Sequence, residues 1–383
     1  MSRGPWIDHF GGNFLWSNAT LILKGMAPYG VVALEEIDRV CERLRVRQSE
    51  PHAWGEEWGT MGALIESRAD TALVKSHKLT AGDYYLRAGI YHYNAERFIT
   101  PSPEKKVQGA KAYHCWHKGI RLREPSIEFI EVPYLNTTLP ALFMKASNGK
   151  PAPTIVVVNG MDNAKEMSIF FAGREFARRG FNTLAIDGPG MGETRRMRDI
   201  PSRYDYEVPG TAAFDYLTTR SDVDVKRVAI FGYSFGGYYS SRVAAFEKRY
   251  ACCVALSALH WDLAAWQEKI RQTNLNAPST VAQSNFQFRW VVGAETQEEG
   301  VEIAKKFSLK DVAKNITCPF LVTHGANDRV VPVENAQRLY DAVGSKNKTL
   351  KIFTAEEGGA EHAHVDNRQV GIDFAADWMQ DNM

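Results

Sequence analysis

The chain has 383 residues, of which 44% are hydrophobic and 24% are charged, and its formal net charge at pH 7 is +1. This length and composition predict a globular protein with one large domain or two, and the small net charge gives no electrostatic basis for binding nucleic acid or an anionic membrane. The chain has five cysteines without a C-x-x-C spacing, no apolar signal-peptide core near the amino terminus and no run of roughly 18 apolar residues, which together favour a cytoplasmic protein without a membrane span.

Residues 1–125 are predicted to form a helical domain. Aliphatic residues recur at helical spacing within 32–44, and residues 81–99 carry aromatic and aliphatic side chains on a helix-like stripe. Such a stripe is more typical of a core than of a ligand site, although Tyr84 stays a candidate for substrate binding. Because no Gly/Ser-rich linker follows, we expect this domain to pack over the substrate pocket.

A different pattern begins near residue 126. The stretch 126–134 alternates like a β-strand, and 138–146 is predicted to be its hairpin partner. Strands that are apolar throughout predict a mostly parallel, doubly wound α/β sheet, whose ligands bind beyond the carboxyl ends of the strands. Six such runs alternate with helical stretches, at residues 154–160, 182–190, 227–234, 252–258, 319–325 and 350–356. Residues 126–383 are therefore predicted to form one α/β domain.

A serine between glycines lies where one of these runs meets a helix. Gly232 and Gly236 flank Ser234 in a G-x-S-x-G pattern directly after the apolar run 228–231. A sharp strand-to-helix turn crowds its neighbours and needs small residues two positions on either side. The pattern therefore favours Ser234 as a nucleophile and the N–H of Phe235 as an oxyanion donor over an ordinary glycine-rich turn.

Two later loops offer a base and an acid in the chain order that goes with such a serine. Asp328 follows the run 319–325, where its carboxylate would hold an imidazole in one tautomer; the alternative is a turn aspartate. His362 and His364 follow the glycine pair 358–359. We predict that His362 is the base, because it directly follows the glycine turn, and expect a solvated surface role for His364. Two histidines at this spacing are weak evidence for a metal site.

The loop after the first apolar run is predicted to supply a second oxyanion donor. Gly160 lets the backbone bend closely, and the N–H of Met161 is the expected donor. Two interpretations stay open for Asp162. It could help to cap the next helix, since Asn163-x-x-Glu166 has capping-box spacing, or it could contact the substrate or act in catalysis.

An insertion of about 60 residues precedes the run 319–325, and we predict that residues from about 259 to 316 form a helical cap over the site. Its aromatic residues favour a bulky or aromatic acyl substrate over a short aliphatic ester, although core packing explains them equally well. The aromatic residues are Trp261, Trp266, Phe286, Phe288 and Trp290. Trp261 and Trp266, together with Tyr233 beside the serine, are the predicted substrate contacts in this part of the chain.

Four motifs together resemble the α/β-hydrolase superfamily: Gly-Tyr-Ser-Phe-Gly-Gly (232–237), Asn-Gly-Met-Asp (159–162), His-Gly-x-x-Asp-x-x-Val-Pro (324–332) and Gly-x-Glu-His (359–362). With its aromatic helical amino-terminal region, the chain is similar to the branch that contains the bacterial 2,6-dihydroxypseudooxynicotine hydrolase, the fungal yellowish-green pigment hydrolases that shorten polyketide chains, and the fermentation–respiration-switch esterase-like proteins. In that branch an acidic residue two positions after the oxyanion-loop glycine assists cleavage of a carbon–carbon bond next to a ketone. Here that position is Asp162, where the nicotine-degrading member has a glutamate.

The resemblance implies an α/β-hydrolase fold and a serine hydrolase that cleaves a diketone- or polyketide-like substrate through an acyl-enzyme. A carboxylesterase or lactonase is the alternative, and a non-catalytic regulatory binding protein on the same fold is a further one. No metal or organic cofactor is expected. The expected partner is a small-molecule substrate rather than nucleic acid or a membrane, and a homodimer stays open.

Overall fold

The computed structural model of the protein describes residue 4 and residues 6–146, 151–258, 261–275 and 286–383. The chain forms two compact units, which we call the helical unit (Met1–Ile127 with Lys269–Gln287) and the sheet unit (Glu128–Glu268 with Phe288–Met383). The predicted insertion at about 259–316 is thus shared between the two units, and its residues 259, 260 and 276–285 lie outside the described residues. Among the described helices, none combines the length and the apolar character needed to cross a membrane.

Five helices before residue 127 build most of the helical unit: α1 (Phe14–Lys24), α2 (Leu34–Arg45), α3 (Ala53–Val74), α4 (Lys78–Glu96) and α5 (Pro103–Arg123). Side-chain caps begin two of them, because Asn13 accepts a hydrogen bond from the N–H of Trp16 and Ser102 accepts one from that of Lys105. The largest aromatic side chains are fully buried, as expected for a core: Trp54, Trp58, Tyr85, Tyr91 and Trp116.

Glycines let α3, α4 and α5 approach one another closely. A Cβ atom built on Gly62 of α3 would lie 2.7 Å from the imidazole of His92 on α4. A Cβ atom on Gly89 of α4 would overlap the indole of Trp116 on α5. Each glycine therefore leaves the space that a large ring on the next helix fills.

The sheet unit is built on one eight-stranded sheet in the order β1–β2–β4–β3–β5–β6–β7–β8. β1 pairs with β2, and β2 with β4, in antiparallel fashion, whereas the five other pairs are parallel. Every position of β4, β6 and β7 is buried, which explains why these runs are apolar throughout. The bounds are β1 (Glu128–Tyr134), β2 (Thr137–Met144), β3 (Ala152–Val158), β4 (Asn182–Ile186), β5 (Val223–Tyr233), β6 (Cys252–Leu256), β7 (Phe320–Gly325) and β8 (Lys348–Phe353).

Helices follow the strands as expected for a doubly wound sheet. Among the described residues from 165 onward they are α6 (Lys165–Ser168), α7 (Arg174–Arg178), α8 (Gly192–Arg196), α9 (Glu207–Thr218), α10 (Phe235–Phe246), α11 (Leu263–Leu275), α12 (Phe286–Val292), α13 (Gln297–Ala304), α14 (Glu334–Ala342) and α15 (Arg368–Asn382). A π-helical turn (Ile169–Gly173) joins α6 to α7. Within the part of the chain that the structure describes, 3-10 turns cover Ala27–Tyr29, Ala313–Asn315 and His362–His364.

The sheet topology brings the predicted site segments to one edge. Ser234 directly follows β5, and the loop with Met161 and Asp162 follows β3. Asp328 comes three residues after β7, and the histidine loop follows β8. Since the carboxyl ends of parallel strands meet at the same edge, the topology alone predicts that these four segments converge.

Candidate active site

Ser234 occupies a strained turn between β5 and α10. Its backbone has φ 55° and ψ −122°, a left-handed conformation that residues with a side chain rarely adopt. The turn requires glycines nearby, because a Cβ on Gly232 would collide with the carbonyl of Gly236, and one on Gly236 with the carbonyl of Val158. The half-buried Ser234 side chain is thus presented at the end of the central strand.

Three side chains from separate loops form a continuous hydrogen-bonded chain. The Oγ of Ser234 lies 2.8 Å from Nε2 of His362, and Nδ1 of His362 lies 2.7 Å from Oδ2 of Asp328. An ionised carboxylate only accepts hydrogen bonds, so Nδ1–H donates to Asp328 and Nε2 is left to accept the Ser234 hydroxyl proton. This is the tautomer that a base acting on Ser234 requires.

The acid is held by its own turn. Oδ1 of Asp328 accepts hydrogen bonds from the N–H groups of Val330 and Val331, both at 2.8 Å. Burial alone would raise the pKa of Asp328, but the charge and the hydrogen bond of His362 outweigh burial and hold that pKa below its usual value of 3.8. Nε2–H of His324 donates to the carbonyl of Val331 at 3.0 Å, and burial lowers the pKa of His324. Asp328 therefore stays ionised at pH 7.

His364 is a buried structural residue, so the expectation of a solvated surface role was wrong. Only 1% of His364 is exposed, and its Nδ1–H donates to the carbonyl of Gly359 at 2.5 Å. The hydroxyl of Thr323 donates to its Nε2 at 3.1 Å. Burial lowers the pKa of His364 to about 4, so its ring is neutral at pH 7. The chain turns inward after His362, because Ala363 and His364 both have a positive φ, of 52° and 55°.

Side chains outside the predicted set shape the histidine loop. The carboxylate of Asp366 accepts hydrogen bonds from the N–H groups of Gly359, Ala360 and Glu361, at 2.9, 3.0 and 2.9 Å. Ser257, at the end of β6, accepts one from the N–H of Ala363 at 3.1 Å. These bonds fix the backbone on both sides of His362. No sequence motif predicts these bonds, because the donors are backbone groups.

The predicted oxyanion loop is a tight turn. The N–H of Asn163 donates to the carbonyl of Gly160 at 3.0 Å, so Met161 and Asp162 are the central residues of the turn. Gly160 packs closely against the nucleophile turn, because a Cβ there would lie 3.2 Å from Cβ of Ser234. The N–H of Phe235 is one of the first in α10 and has no carbonyl acceptor within its own helix. The loop with Met161 and the turn with Phe235 therefore meet beside Ser234.

Asp162 does not cap a helix, which removes one of its two interpretations. The N-cap residue of α6 is Ala164, whose side chain cannot cap the helix, and the N–H of Lys165 at the start of α6 donates to Oδ1 of Asp187 at 2.7 Å. The amide of Asn163 instead donates from Nδ2 to the hydroxyl of Tyr233 at 2.7 Å. Asp162 is 2% exposed, and its Oδ2 lies 3.8 Å from Nη2 of Arg196. Its buried carboxylate thus has a cation beside it.

A buried chain of hydrogen bonds supports this loop from below. It runs from Asn163 Nδ2 to the Tyr233 hydroxyl, then at 2.9 Å to Ser168 Oγ, at 2.6 Å to Asn159 Oδ1, and at 2.7 Å from Asn159 Nδ2 to Asp187 Oδ1. Tyr233 is only 4% exposed, and burial raises the pKa of its hydroxyl to about 12. The structure therefore gives Tyr233, predicted to bind substrate, a buried position under the loop.

A fully buried lysine ends this chain. Nζ of Lys165 lies 2.8 Å from Glu166, 3.3 Å from Asp187 and 2.7 Å from Glu193. Although burial by itself would lower the pKa of Lys165, these carboxylates raise it well above its usual value. Removing one partner of such a buried cluster leaves an uncompensated charge, so substitution of any one member should destabilise the protein.

The other aromatic candidates have different surroundings. Trp266, on α11, donates from its indole N–H to the carbonyl of Val330 at 2.9 Å and so contacts the turn that holds the acid. Trp261 is half-buried. Tyr84 belongs to the helical unit, where it lines a surface groove with residues of α3 and stacks with the guanidinium of Arg87 at 4.8 Å.

One group of side chains in the helical unit has the residue types of a metal site. Ligand atoms of Glu66, His92 and Cys115 lie within 4.8 Å of one another. They are already hydrogen-bonded, because Nε2–H of His92 donates to Glu66 at 3.0 Å and Gln108 donates to Nδ1 of His92 at 3.1 Å. Burial and the Glu66 carboxylate raise the pKa of the Cys115 thiol. The expectation that no metal or cofactor is needed stays a prediction.

The sequence has known relatives. Residues 175–383, more than half of the chain, match the sequence model of the prolyl oligopeptidase family. The chain belongs to this family. Members are α/β-hydrolases, so the chain is a hydrolase of the α/β-hydrolase superfamily, and the predicted fold is confirmed.

The individual relatives share only about a quarter of their residues with this family member. It is 26% identical to a 20-hydroxy-prefusarin hydrolase of Gibberella moniliformis over 84% of this chain and 85% of that protein. It is 25% identical to a 2,6-dihydropseudooxynicotine hydrolase of Paenarthrobacter nicotinovorans over 86% and 84%. The crystal structure of a 2,6-dihydroxy-pseudo-oxynicotine hydrolase superimposes with a TM-score of 0.75 at 22% identity, covering 94% of this chain and 95% of the other. The two chains therefore share one fold over nearly their whole length.

Proposed function

We propose that this prolyl oligopeptidase family member is a serine hydrolase that cleaves a carbon–carbon bond next to a ketone in a bulky or aromatic carbonyl substrate. The observation that carries the proposal is the hydrogen-bonded chain from Ser234 through His362 to Asp328, with distances of 2.8 and 2.7 Å. A serine side chain on a strained turn, next to an imidazole whose Nδ1 is hydrogen-bonded to a carboxylate, is equipped to attack a carbonyl carbon.

In the first step the Oγ of Ser234 forms a bond to the substrate carbonyl carbon while His362 takes the hydroxyl proton. The carbonyl oxygen becomes an oxyanion, which the N–H groups of Met161 and Phe235 bind. Asp328 stabilises the imidazolium, because its carboxylate stays ionised and accepts the Nδ1–H bond. Each donor is preorganised by backbone geometry, so little reorganisation accompanies the charge that develops.

In the second step the oxyanion collapses and the carbon–carbon bond breaks. The electron pair of that bond leaves with the second ketone as an enolate, which takes the proton from His362 at carbon and departs as a neutral ketone. The acyl group stays on Ser234. His362 then takes a proton from water, whose oxygen attacks the ester carbon, and the free acid is released as Ser234 recovers its proton.

Asp162 is the residue that distinguishes this proposal from ordinary ester hydrolysis. Its carboxylate lies in the oxyanion loop with Arg196 beside it, and it caps no helix. In the proposed reaction it accepts a hydrogen bond from an enol or hydroxyl group of the substrate, which orients the leaving carbon toward the proton on His362. The similarity to a 20-hydroxy-prefusarin hydrolase and to a 2,6-dihydropseudooxynicotine hydrolase supports a bulky or aromatic substrate.

A carboxylesterase or lactonase is the second candidate, since the same three side chains serve ester chemistry. Asp162→Asn keeps the size of the side chain and removes its charge. If Asp162 orients the leaving enolate, we expect cleavage of an aryl β-diketone to fall by roughly 10²-fold or more and hydrolysis of an activated aryl ester to change much less. Equal, small effects on both substrates would favour the esterase.

A fluorophosphonate probe tests the nucleophile independently of the substrate. The wild type should be labelled at Ser234, and Ser234→Ala should not be labelled. Absence of labelling in folded wild-type protein would favour the third candidate, a non-catalytic binding protein on the same fold.

A further inference from the structure

The oxyanion loop contains an unfavourable backbone conformation. Asp162 has φ 53° at the third position of the turn from Gly160 to Asn163, where a positive φ normally selects glycine or asparagine. Such a conformation is unfavourable and persists only where the surrounding structure stabilises it. The contacts around Asp162 must therefore supply this stabilisation.

Arg196 makes two contacts to the strained residue. Its Nη1 donates a hydrogen bond to the main-chain carbonyl of Asp162 at 2.9 Å, and its Nη2 lies 3.8 Å from the side-chain Oδ2. The next carbonyl, that of Asn163, accepts a hydrogen bond from the N–H of Gly192 at 2.9 Å. Both carbonyls that follow the strained position are thus bound by α8 (Gly192–Arg196).

Packing fixes the guanidinium that makes these contacts. The side chain of Arg196 is 2% exposed, and its guanidinium carbon lies 5.1 Å from the centre of the Trp290 ring. The adjacent Arg195 lies at the same distance from that ring and donates from Nε to the carbonyl of Trp290 at 2.6 Å. The two arginines differ in one respect, because the described contacts of Arg195 are with Trp290 and Asp199 and not with the oxyanion loop.

We propose that Arg196 is the positioning residue of the oxyanion loop. By binding the carbonyl of Asp162 it holds the turn in its left-handed form, which aims the N–H of Met161 at the developing oxyanion. By lying beside the carboxylate it also keeps the charge of Asp162 compensated, so that this charge opposes the oxyanion less. The inference rests on the proposed function, since it assigns the Met161 N–H to the reaction of Ser234.

The test measures the second-order rate of Ser234 phosphonylation by a fluorophosphonate and kcat and KM for an activated aryl ester. The variants are Arg196→Met, Arg196→Lys and, as the matched control, Arg195→Met, which removes an equivalent cation from Trp290. We expect Arg196→Met to lower kcat and the phosphonylation rate by about 10²-fold, the lower range for losing an oxyanion donor, with KM within about threefold of wild type. Arg196→Lys should recover part of the loss, because an ammonium can donate to the carbonyl. Arg195→Met should stay within about threefold of wild type.

The outcomes separate the two proposals. An unreactive wild type overturns the proposed function and this inference together. If the wild type reacts, two results overturn the inference alone. One is an Arg196→Met variant as reactive as the wild type, and the other is an equal loss of kcat and phosphonylation rate in Arg195→Met and Arg196→Met. Where Arg196→Met does not accumulate as folded protein by circular dichroism, Arg196→Lys against Arg195→Lys decides. A loss of less than threefold in Arg196→Lys then overturns the inference, and a selective larger loss supports it.

Discussion

Protonation of His364 should make the sheet unit lose stability as the pH falls. Its Nδ1–H and Nε2 are both used inside the protein, by the carbonyl of Gly359 and the hydroxyl of Thr323. A protonated ring could not accept the Thr323 hydroxyl bond and would place a charge where 1% of the residue is exposed. The change that tests this is His364→Asn, whose side-chain N–H can replace the Nδ1–H donor without titrating.

The size of the effect follows from the two pKa values. Burial lowers the pKa of His364 from 6.5 to about 4, so between these values the unfolded chain binds a proton that the folded chain does not. The free energy of unfolding should therefore fall as the pH drops from about 6.5 to about 4. Each pH unit in that window corresponds to about 1.4 kcal/mol, which gives about 2 kcal/mol between pH 7 and pH 5.

The measurement is urea unfolding at pH 7 and pH 5. Hydrogen exchange of peptides from β7 and α15 monitors the unfolding, so the result reports on the sheet unit. His364→Asn should be less stable than wild type at pH 7, because its smaller side chain leaves a cavity against Gly371 and Phe353, but its pH dependence should be about 2 kcal/mol smaller. His114→Asn, at an exposed position of α5, is the control and should keep the wild-type pH dependence. An unchanged pH dependence in His364→Asn would refute the reasoning.

Further substitutions test the reacting groups and their support. Ser234→Ala should lower ester hydrolysis by on the order of 10⁶-fold and Asp328→Asn by on the order of 10⁴-fold, with both proteins folded; wild-type turnover in Ser234→Ala would exclude the serine mechanism. His362→Ala should approach the rate of Ser234→Ala, and a variant within tenfold of wild type would assign the base elsewhere. Trp266→Phe removes the donor to the Val330 carbonyl. It should lower the free energy of unfolding by about 1 kcal/mol in urea and lower kcat several-fold in steady-state kinetics. Unchanged values would show that the contact is dispensable.

The sheet and the three main site segments could be predicted because each has a local signal. Buried parallel strands are apolar throughout, and the G-x-S-x-G pattern reports the crowding around Ser234. The assignment of an aspartate and a histidine after the last strands rests on the chain order serine, aspartate, histidine that accompanies a G-x-S-x-G turn. These signals depend on short-range backbone chemistry, which the sequence displays directly.

The support of the site could not be predicted, because its contacts join residues far apart in the chain. Arg196 lies 34 positions after Asp162, in a stretch with no recognisable motif. The position of His364 before a helix predicts a solvated side chain, whereas the left-handed Ala363 and His364 turn the chain inward. The position of Tyr233 beside the serine predicts a substrate contact, whereas its hydroxyl is hydrogen-bonded to Asn163 and Ser168. In each case the orientation of a side chain depended on tertiary packing.

The glycine contacts of the helical unit have a consequence for engineering. Gly62 faces His92 and Gly89 faces Trp116 without room for one more carbon. The two residues of each contact can therefore be changed only together. A library that randomises only one residue of a pair should return mostly unfolded clones. A library that combines a larger residue at the glycine position with a smaller facing residue should contain folded sequences. Redesign of these three helices should therefore proceed in coupled pairs across neighbouring helices.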